Sequence, residues 1–109
     1  MADTWIIDLG HYLNSDGSIA PKSGAALCLA THFAEIVQEA SADIGGEVHF
    51  PKVRCRRRPN RKQCIGEIDS ILDPEHGAIL WRCPVCGDNG AISGWEGTLW
   101  DLTDISERQ

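Results

Sequence analysis

The cysteine pair in Cys83-Pro84-Val85-Cys86-Gly87 restricts the possible fold of this chain more than any other sequence feature. Two residues between the thiols let both sulfurs reach one metal ion at tetrahedral distances. The glycine after the second cysteine permits the tight turn that such a site needs. A second pair, Cys55 and Cys64, has eight intervening residues, which is more than the usual two to four. Pro59-Asn60 inside that segment could fold it back on itself.

A hairpin between the two pairs would bring their sulfurs together, because antiparallel strands place their outer ends side by side. We therefore predict one zinc ion held by four thiolates, those of Cys55, Cys64, Cys83 and Cys86. Four protein ligands fill a tetrahedral site and leave no position for water, so the sequence predicts a structural site and no enzymatic activity. His49 and His76 are further candidate ligands, although four cysteines suffice.

Other uses of these cysteines stay open at this stage. A redox dithiol also has the Cys-Pro-x-Cys pattern, but there a helix follows, whereas the residues that follow here, 87–94, form no helix. Iron in a four-thiolate site is chemically equivalent at this level. A disulfide between Cys55 and Cys64 is a third alternative. The fifth cysteine, Cys28, falls within a predicted helix, where we expect a buried free thiol that acts as a small hydrophobe.

The 109 residues suit a single domain spanning residues 1–109, with 42% apolar residues to form its core. No apolar run is long enough for a membrane helix. The N-terminus lacks the basic and apolar regions of a signal peptide. We therefore expect a cytoplasmic, reducing location, where paired cysteines more often hold metal than form disulfides.

Hydrophobic spacing and turn residues predict an α+β fold. Residues 4–9 are expected to form a strand and residues 23–42 the main helix, with apolar residues at three- and four-residue spacing. A short strand is expected at residues 47–53, followed by strands at residues 65–72, 78–82 and 90–95. Asp73 and Gly77 bound the predicted hairpin turn. The N-terminal strand and helix (residues 1–46) would pack with a C-terminal three-stranded antiparallel, zinc-ribbon-like sheet (residues 47–109).

Charge is distributed unevenly along the chain. Residues 52–62 carry seven basic side chains and no acidic one, so the other three basic residues face all 16 acidic ones, which leaves −13 outside this loop. The seven are Lys52, Arg54, Arg56, Arg57, Arg58, Arg61 and Lys62. These side chains could bind phosphate groups of a nucleic acid, or they could compensate the negative charge of a four-thiolate zinc. The acidic remainder favours the second interpretation.

Three tryptophans, Trp81, Trp95 and Trp100, fall in or near the predicted C-terminal sheet. We expect them to form its core, since few other large apolar residues are available there. If Trp95 or Trp100 lay exposed beside the arginines, they would be candidates for partner binding. The resulting hypotheses are a module that binds a protein partner and, as the alternative, a nucleic-acid-binding module that uses the basic loop.

Three segments carry a resemblance to a known family: residues 55–66, residues 79–90 with the Cys-Pro-x-Cys-Gly-Asp-Asn-Gly motif, and residues 94–101. Together with Trp-Ile-Ile-Asp at residues 5–8, they resemble a family of small bacterial proteins of unknown function. The resemblance implies a bacterial origin and a zinc-ribbon-like site. It implies no particular activity.

Overall fold

A computed structural model describes residues 4–45, 52–56 and 61–102. In chain order they form β1 (Thr4–Asp8), a short 3-10 helix (Leu9–Tyr12), α1 (Gly24–Gly45), β2 (Asp69–Asp73), β3 (Ala78–Arg82) and β4 (Asn89–Ser93). The predicted α+β class is confirmed. Within the described part of the chain, no helix is long and apolar enough to cross a membrane.

The four strands form one mixed sheet in the order β1-β4-β3-β2. The three C-terminal strands are antiparallel, as predicted. The N-terminal strand does more than pack against them, because β1 pairs with β4 in parallel register, Ile6 opposite Ala91. The sheet therefore joins the N-terminal strand to the C-terminal half of the chain.

The hairpin turn between β2 and β3 is confirmed. The amide of Gly77 donates to the carbonyl of Asp73 at 2.8 Å, and Gly77 has a φ of 70°, a conformation that a glycine adopts without strain. The start of β2 was predicted wrongly, because the strand begins at Asp69 and not at residue 65. The intervening residues turn toward the segment around Cys55 instead.

The core lies between α1 and the inner face of the sheet. Alternate residues of the strands point toward the helix, among them Ile79, Trp81 and Ile92, all at most 3% exposed. Phe33 of α1 stands at the centre, with its ring about 6 Å from several aromatic rings, those of Trp5, Tyr12, His32 and Trp81. Trp95 is also 3% exposed. The expectation that Trp81 and Trp95 belong to the core is confirmed.

The expected burial of Cys28 was wrong, because its side chain is exposed. The helix buries Ala30, Phe33, Ala34 and Val37, which share one face through their three- and four-residue spacing. Cys28 precedes Ala30 by two residues, and two residues turn an α-helix by about 200°. The thiol therefore points away from the core.

Candidate metal centre

The first pair of thiols lies in a tight turn directly after β3. The amide of Cys83 donates to the carbonyl of Asp88 at 2.7 Å, and the amide of Gly87 donates to the carbonyl of Cys83 at 2.9 Å. Gly87 has a φ of 83°, so the glycine after the second cysteine supplies the left-handed residue that closes the turn. Both sulfurs of Cys83 and Cys86 face the same side as a result.

A short antiparallel pairing of two backbone segments brings the thiols of Cys55 and Cys64 together, although eight residues separate them in the sequence. The amide of Cys55 donates to the carbonyl of Gly66 at 2.9 Å, and the amide of Ile68 donates to the carbonyl of Val53 at 2.7 Å. The segment around Cys55 thus runs beside the segment that follows Cys64. Sequence reasoning assigned the closure to Pro59-Asn60, which lies outside the described residues.

The four sulfurs form one compact group. The Sγ atoms of Cys55, Cys64, Cys83 and Cys86 all lie within 4.8 Å of one another. Two of the distances, Cys55 to Cys86 and Cys64 to Cys83, are 3.6 Å. A tetrahedral metal with metal–sulfur bonds of about 2.3 Å would separate its sulfurs by about 3.8 Å. A disulfide bond is about 2.05 Å long, so the spacing fits four thiolates around a metal ion and no disulfide.

The surroundings of the sulfurs shift the pKa values of two of the thiols in opposite directions. Cys55, Cys64 and Cys83 are at most 4% exposed, while Cys86 is half-buried. Burial acts to raise the pKa of the Cys83 thiol, but amides of the following turn donate to its sulfur, and the net effect is a lowered pKa. Burial raises the pKa of the Cys86 thiol. The amide of Gly66 also donates to the sulfur of Cys64, at 3.4 Å.

Gly66 is a residue of the site that sequence reasoning missed. A Cβ atom at this position would collide with the sulfur of Cys83 and would lie 3.1 Å from the side chain of Val85. Only glycine therefore lets the two cysteine-bearing segments approach this closely. The signal available in the sequence was a glycine two residues after a candidate ligand.

The basic residues of the loop divide into those with partners inside the protein and those facing solvent. Lys52 forms an ion pair with Asp69 at 2.6 Å. The guanidinium of Arg56 lies over the ring of Trp5, 5.6 Å from its centroid. The other basic residues of the loop that the structure describes have exposed side chains, namely Arg54, Arg61 and Lys62. Arg57 and Arg58 lie outside the described residues.

The two tryptophans considered for partner binding differ in position. Trp95 is buried, and its ring nitrogen donates to the carbonyl of Gly77 at 2.9 Å. It therefore offers no face for stacking on a base. Trp100 is half-buried and packs against the core.

Of the two candidate histidine ligands, the one in the described part of the chain does not join the sulfurs. His76 lies at the hairpin turn, where its Nδ1 atom is 2.7 Å from a carboxylate oxygen of Asp73. These two residues and Glu75 form a second group of potential ligand atoms, exposed or half-buried. His49 lies outside the described residues.

A cleft beside the metal centre contains a histidine to which the sequence assigned no role. The cleft measures about 430 Å³ and lies between α1 and the basic loop, where it is lined by Cys28, His32, Glu35, Arg54 and Cys55 among others. Burial, with a smaller effect from the charge of Arg56, lowers the pKa of His32 to about 4. The imidazole is therefore neutral at pH 7.

Comparison with known proteins adds no identification. No protein-family model matches the chain, and no curated protein or solved structure is significantly similar to it.

Proposed function

We propose that this protein is a non-enzymatic module in which Cys55, Cys64, Cys83 and Cys86 hold one zinc ion, and that it acts by binding another protein. The observation that carries this proposal is the group of four sulfurs within 4.8 Å of one another. Zinc is the metal that closed four-cysteine sites most often hold in structural roles. Such an ion would fix the two cysteine-bearing segments to each other and would have no position for a substrate.

Exposed apolar side chains next to the thiols support a protein partner. Ile65 is 79% exposed and Val85 is 61% exposed. They belong to the two segments that meet at Gly66, whose added Cβ would contact Val85. An apolar surface held rigid by a metal ion can anchor a protein, because the binding energy of interfaces concentrates in few well-packed contacts.

A matched pair of cysteine variants tests the metal part of the proposal. Cys83→Ser removes a buried ligand, so we expect loss of the metal and of cooperative unfolding, because a structural zinc supplies folding free energy directly. Cys28→Ser changes an exposed thiol outside the group and should keep both. Elemental analysis and thermal unfolding followed by circular dichroism provide the readouts. Equal metal content in the two variants would contradict the proposal.

The alternative function is binding of DNA or RNA through the basic loop. The exposure of Arg54, Arg61 and Lys62 favours it, whereas the internal partners of Lys52 and Arg56 and the burial of Trp95 favour a protein partner. Salt-sensitive binding to a nucleic acid that is lost on neutralising Arg56, Arg57 and Arg58 together would establish the alternative. Under the protein-binding proposal, the triple variant instead loses thermal stability or zinc affinity. The unsubstituted protein should then capture a partner from a cell lysate even after the lysate is treated with nuclease.

A further inference from the structure

The cleft beside the metal centre has an open mouth and a buried floor. Its volume of about 430 Å³ falls within the range of about 300–1,000 Å³ that is usual for ligand pockets. Cys28, Glu35 and Arg54 at its walls are exposed, whereas His32, which lines the same cleft, is 6% exposed. Helix α1 therefore forms one wall, the segment around Cys55 forms the other, and His32 lies at the bottom.

Positive charge exceeds negative charge in the lining of the cleft. Arg54 and Arg56 contribute two guanidinium groups, and Glu35 contributes one carboxylate. Within the described part of the chain, none of these three side chains forms an ion pair. Arg56 lies over the ring of Trp5, and a guanidinium stacked in this way keeps the N–H donors at its edge for another group. The cleft thus presents two cations whose charge the described residues leave uncompensated.

His32 adds a polar atom for which the described part of the protein supplies no partner. Its Nε2 atom is buried and makes no hydrogen bond with any of the described residues. Because the imidazole is neutral at pH 7, one of its nitrogens donates and the other accepts. Buried polar atoms are rarely left without a hydrogen bond. Thr31 and Gln63 bring a hydroxyl and an amide to the same lining, so the cleft suits a ligand that carries both donors and acceptors.

We propose, on the basis of the protein-binding function above, that this cleft binds an acidic side chain of the partner protein, with its carboxylate held by Arg54 and Arg56. Guanidinium groups bind carboxylates through paired, charge-assisted hydrogen bonds. The cleft also lies close in sequence to an exposed apolar residue, since Gln63 lines it and Ile65 is 79% exposed. The partner would therefore present an acidic residue next to an apolar one.

A nucleic acid fits the lining of this cleft less well than a peptide does. The oxygens of a phosphate backbone are acceptors and negatively charged, so the carboxylate of Glu35 opposes them. A peptide carries amide N–H donors beside its carboxylates, and it can meet Glu35 as well as the two arginines. Affinity for a nucleic acid also grows with the number of phosphates contacted, whereas the cleft offers two guanidinium groups within three residues of the sequence.

Selection of random peptides displayed on phage, with the metal-loaded protein as bait, identifies the chemistry of the ligand. We expect the selected peptides to be enriched in aspartate and glutamate next to apolar residues. Selected peptides without an excess of acidic residues, or the absence of any selected peptide, would overturn the inference.

Charge variants then test the residues that hold the carboxylate. The most enriched acidic peptide, labelled with a fluorophore, serves as the probe in a polarisation assay. Arg54→Gln should weaken its binding by about tenfold or more, because hydrogen bonds between charged groups are lost. Arg82→Gln is the matched control, since Arg82 is exposed on the strand face that points away from α1, and this variant should bind the peptide normally. Equal affinity in Arg54→Gln and the unsubstituted protein would contradict the assignment.

A second pair of variants tests the cleft without changing any charge or metal ligand. Cys28→Trp places a large side chain at the mouth of the cleft and should abolish peptide binding. Ala26→Trp is the control, because Ala26 is exposed and lies about 200° around the helix from Cys28. Circular dichroism and elemental analysis check the fold and the zinc content of every variant.

The outcomes separate this inference from the function proposed above. A purified protein without metal would contradict the metal part of the proposed function. A metal-loaded protein that selects peptides without acidic residues would contradict the assignment of the cleft alone. Binding of a mixed-sequence single-stranded DNA that Arg54→Gln and Cys28→Trp abolish, without binding of acidic peptides, would assign the cleft to nucleic acid and overturn the inference.

Discussion

Replacing Gly66 by alanine should disrupt the metal centre without removing any ligand. The added Cβ would overlap the sulfur of Cys83, and real Cβ atoms essentially never come within 3.0 Å of such a neighbour. Relief of the overlap requires the two atoms to separate by more than about half an ångström, whereas metal sites tolerate deviations of only about 0.2 Å in ligand distance. Disturbing the surroundings of a ligand typically weakens metal binding by about 10- to 100-fold. We expect a loss of about 100-fold, because here a ligand itself must move.

Competition with a chromophoric chelator measures this loss as a change in zinc affinity. Gly97→Ala is the matched control, since Gly97 has a φ of 76° and no atom within 4 Å of its added Cβ. That substitution strains the backbone by about 1–2 kcal/mol and should lower stability without changing zinc affinity. A Gly66→Ala protein that binds zinc as tightly as the unsubstituted chain would refute this account of how the two segments meet.

Three further predictions concern other parts of the structure. Burial lowers the pKa of His32 from its ordinary value of 6.5 to about 4, so the neutral imidazole stabilises the fold fully above pH 6.5, and up to about 3 kcal/mol of that stability is lost as the pH falls toward 4. Chemical denaturation at several pH values should show a smaller loss in His32→Phe. Ser41→Ala should lower the free energy of unfolding by about 1–3 kcal/mol, because the hydroxyl of Ser41 accepts a hydrogen bond from the amide of Leu102 at 2.9 Å in the core. Ser15→Ala is the control at an exposed position and should change the free energy of unfolding little. In thiol alkylation followed by mass spectrometry, exposed Cys28 should react first and the four clustered thiols only after a chelator is added; simultaneous labelling of all five would contradict metal protection.

The sequence was sufficient to predict the elements whose signals are local. The spacing of Ala30, Phe33, Ala34 and Val37 identifies α1, and Pro74 with Gly77 identifies the hairpin turn. The short spacing of Cys83 and Cys86 identifies the metal turn for the same reason, because the geometry is contained within five residues. The hairpin, which is also a local feature, predicted that Cys64 meets Cys83, whereas the position of Cys55 depends on its pairing with the segment around Gly66.

The features that escaped prediction depend on contacts between distant segments. The position of β1 beside β4 is set by pairing across more than 80 residues, for which no local pattern exists. The late start of β2 at Asp69 reflects a competing pairing with the segment around Cys55. The exposure of Cys28 could have been predicted, because its angular position relative to Ala30 follows from helix geometry alone.

The central claim is that four thiolates hold one zinc ion, and X-ray absorption spectroscopy at the zinc edge tests it most directly. Combined with elemental analysis of the purified protein, it gives the number, type and distance of the ligands. We predict one zinc per chain with four sulfur neighbours at about 2.3 Å. A well-folded protein without metal, one that contains iron in place of zinc, or a zinc with nitrogen or oxygen neighbours would contradict the account.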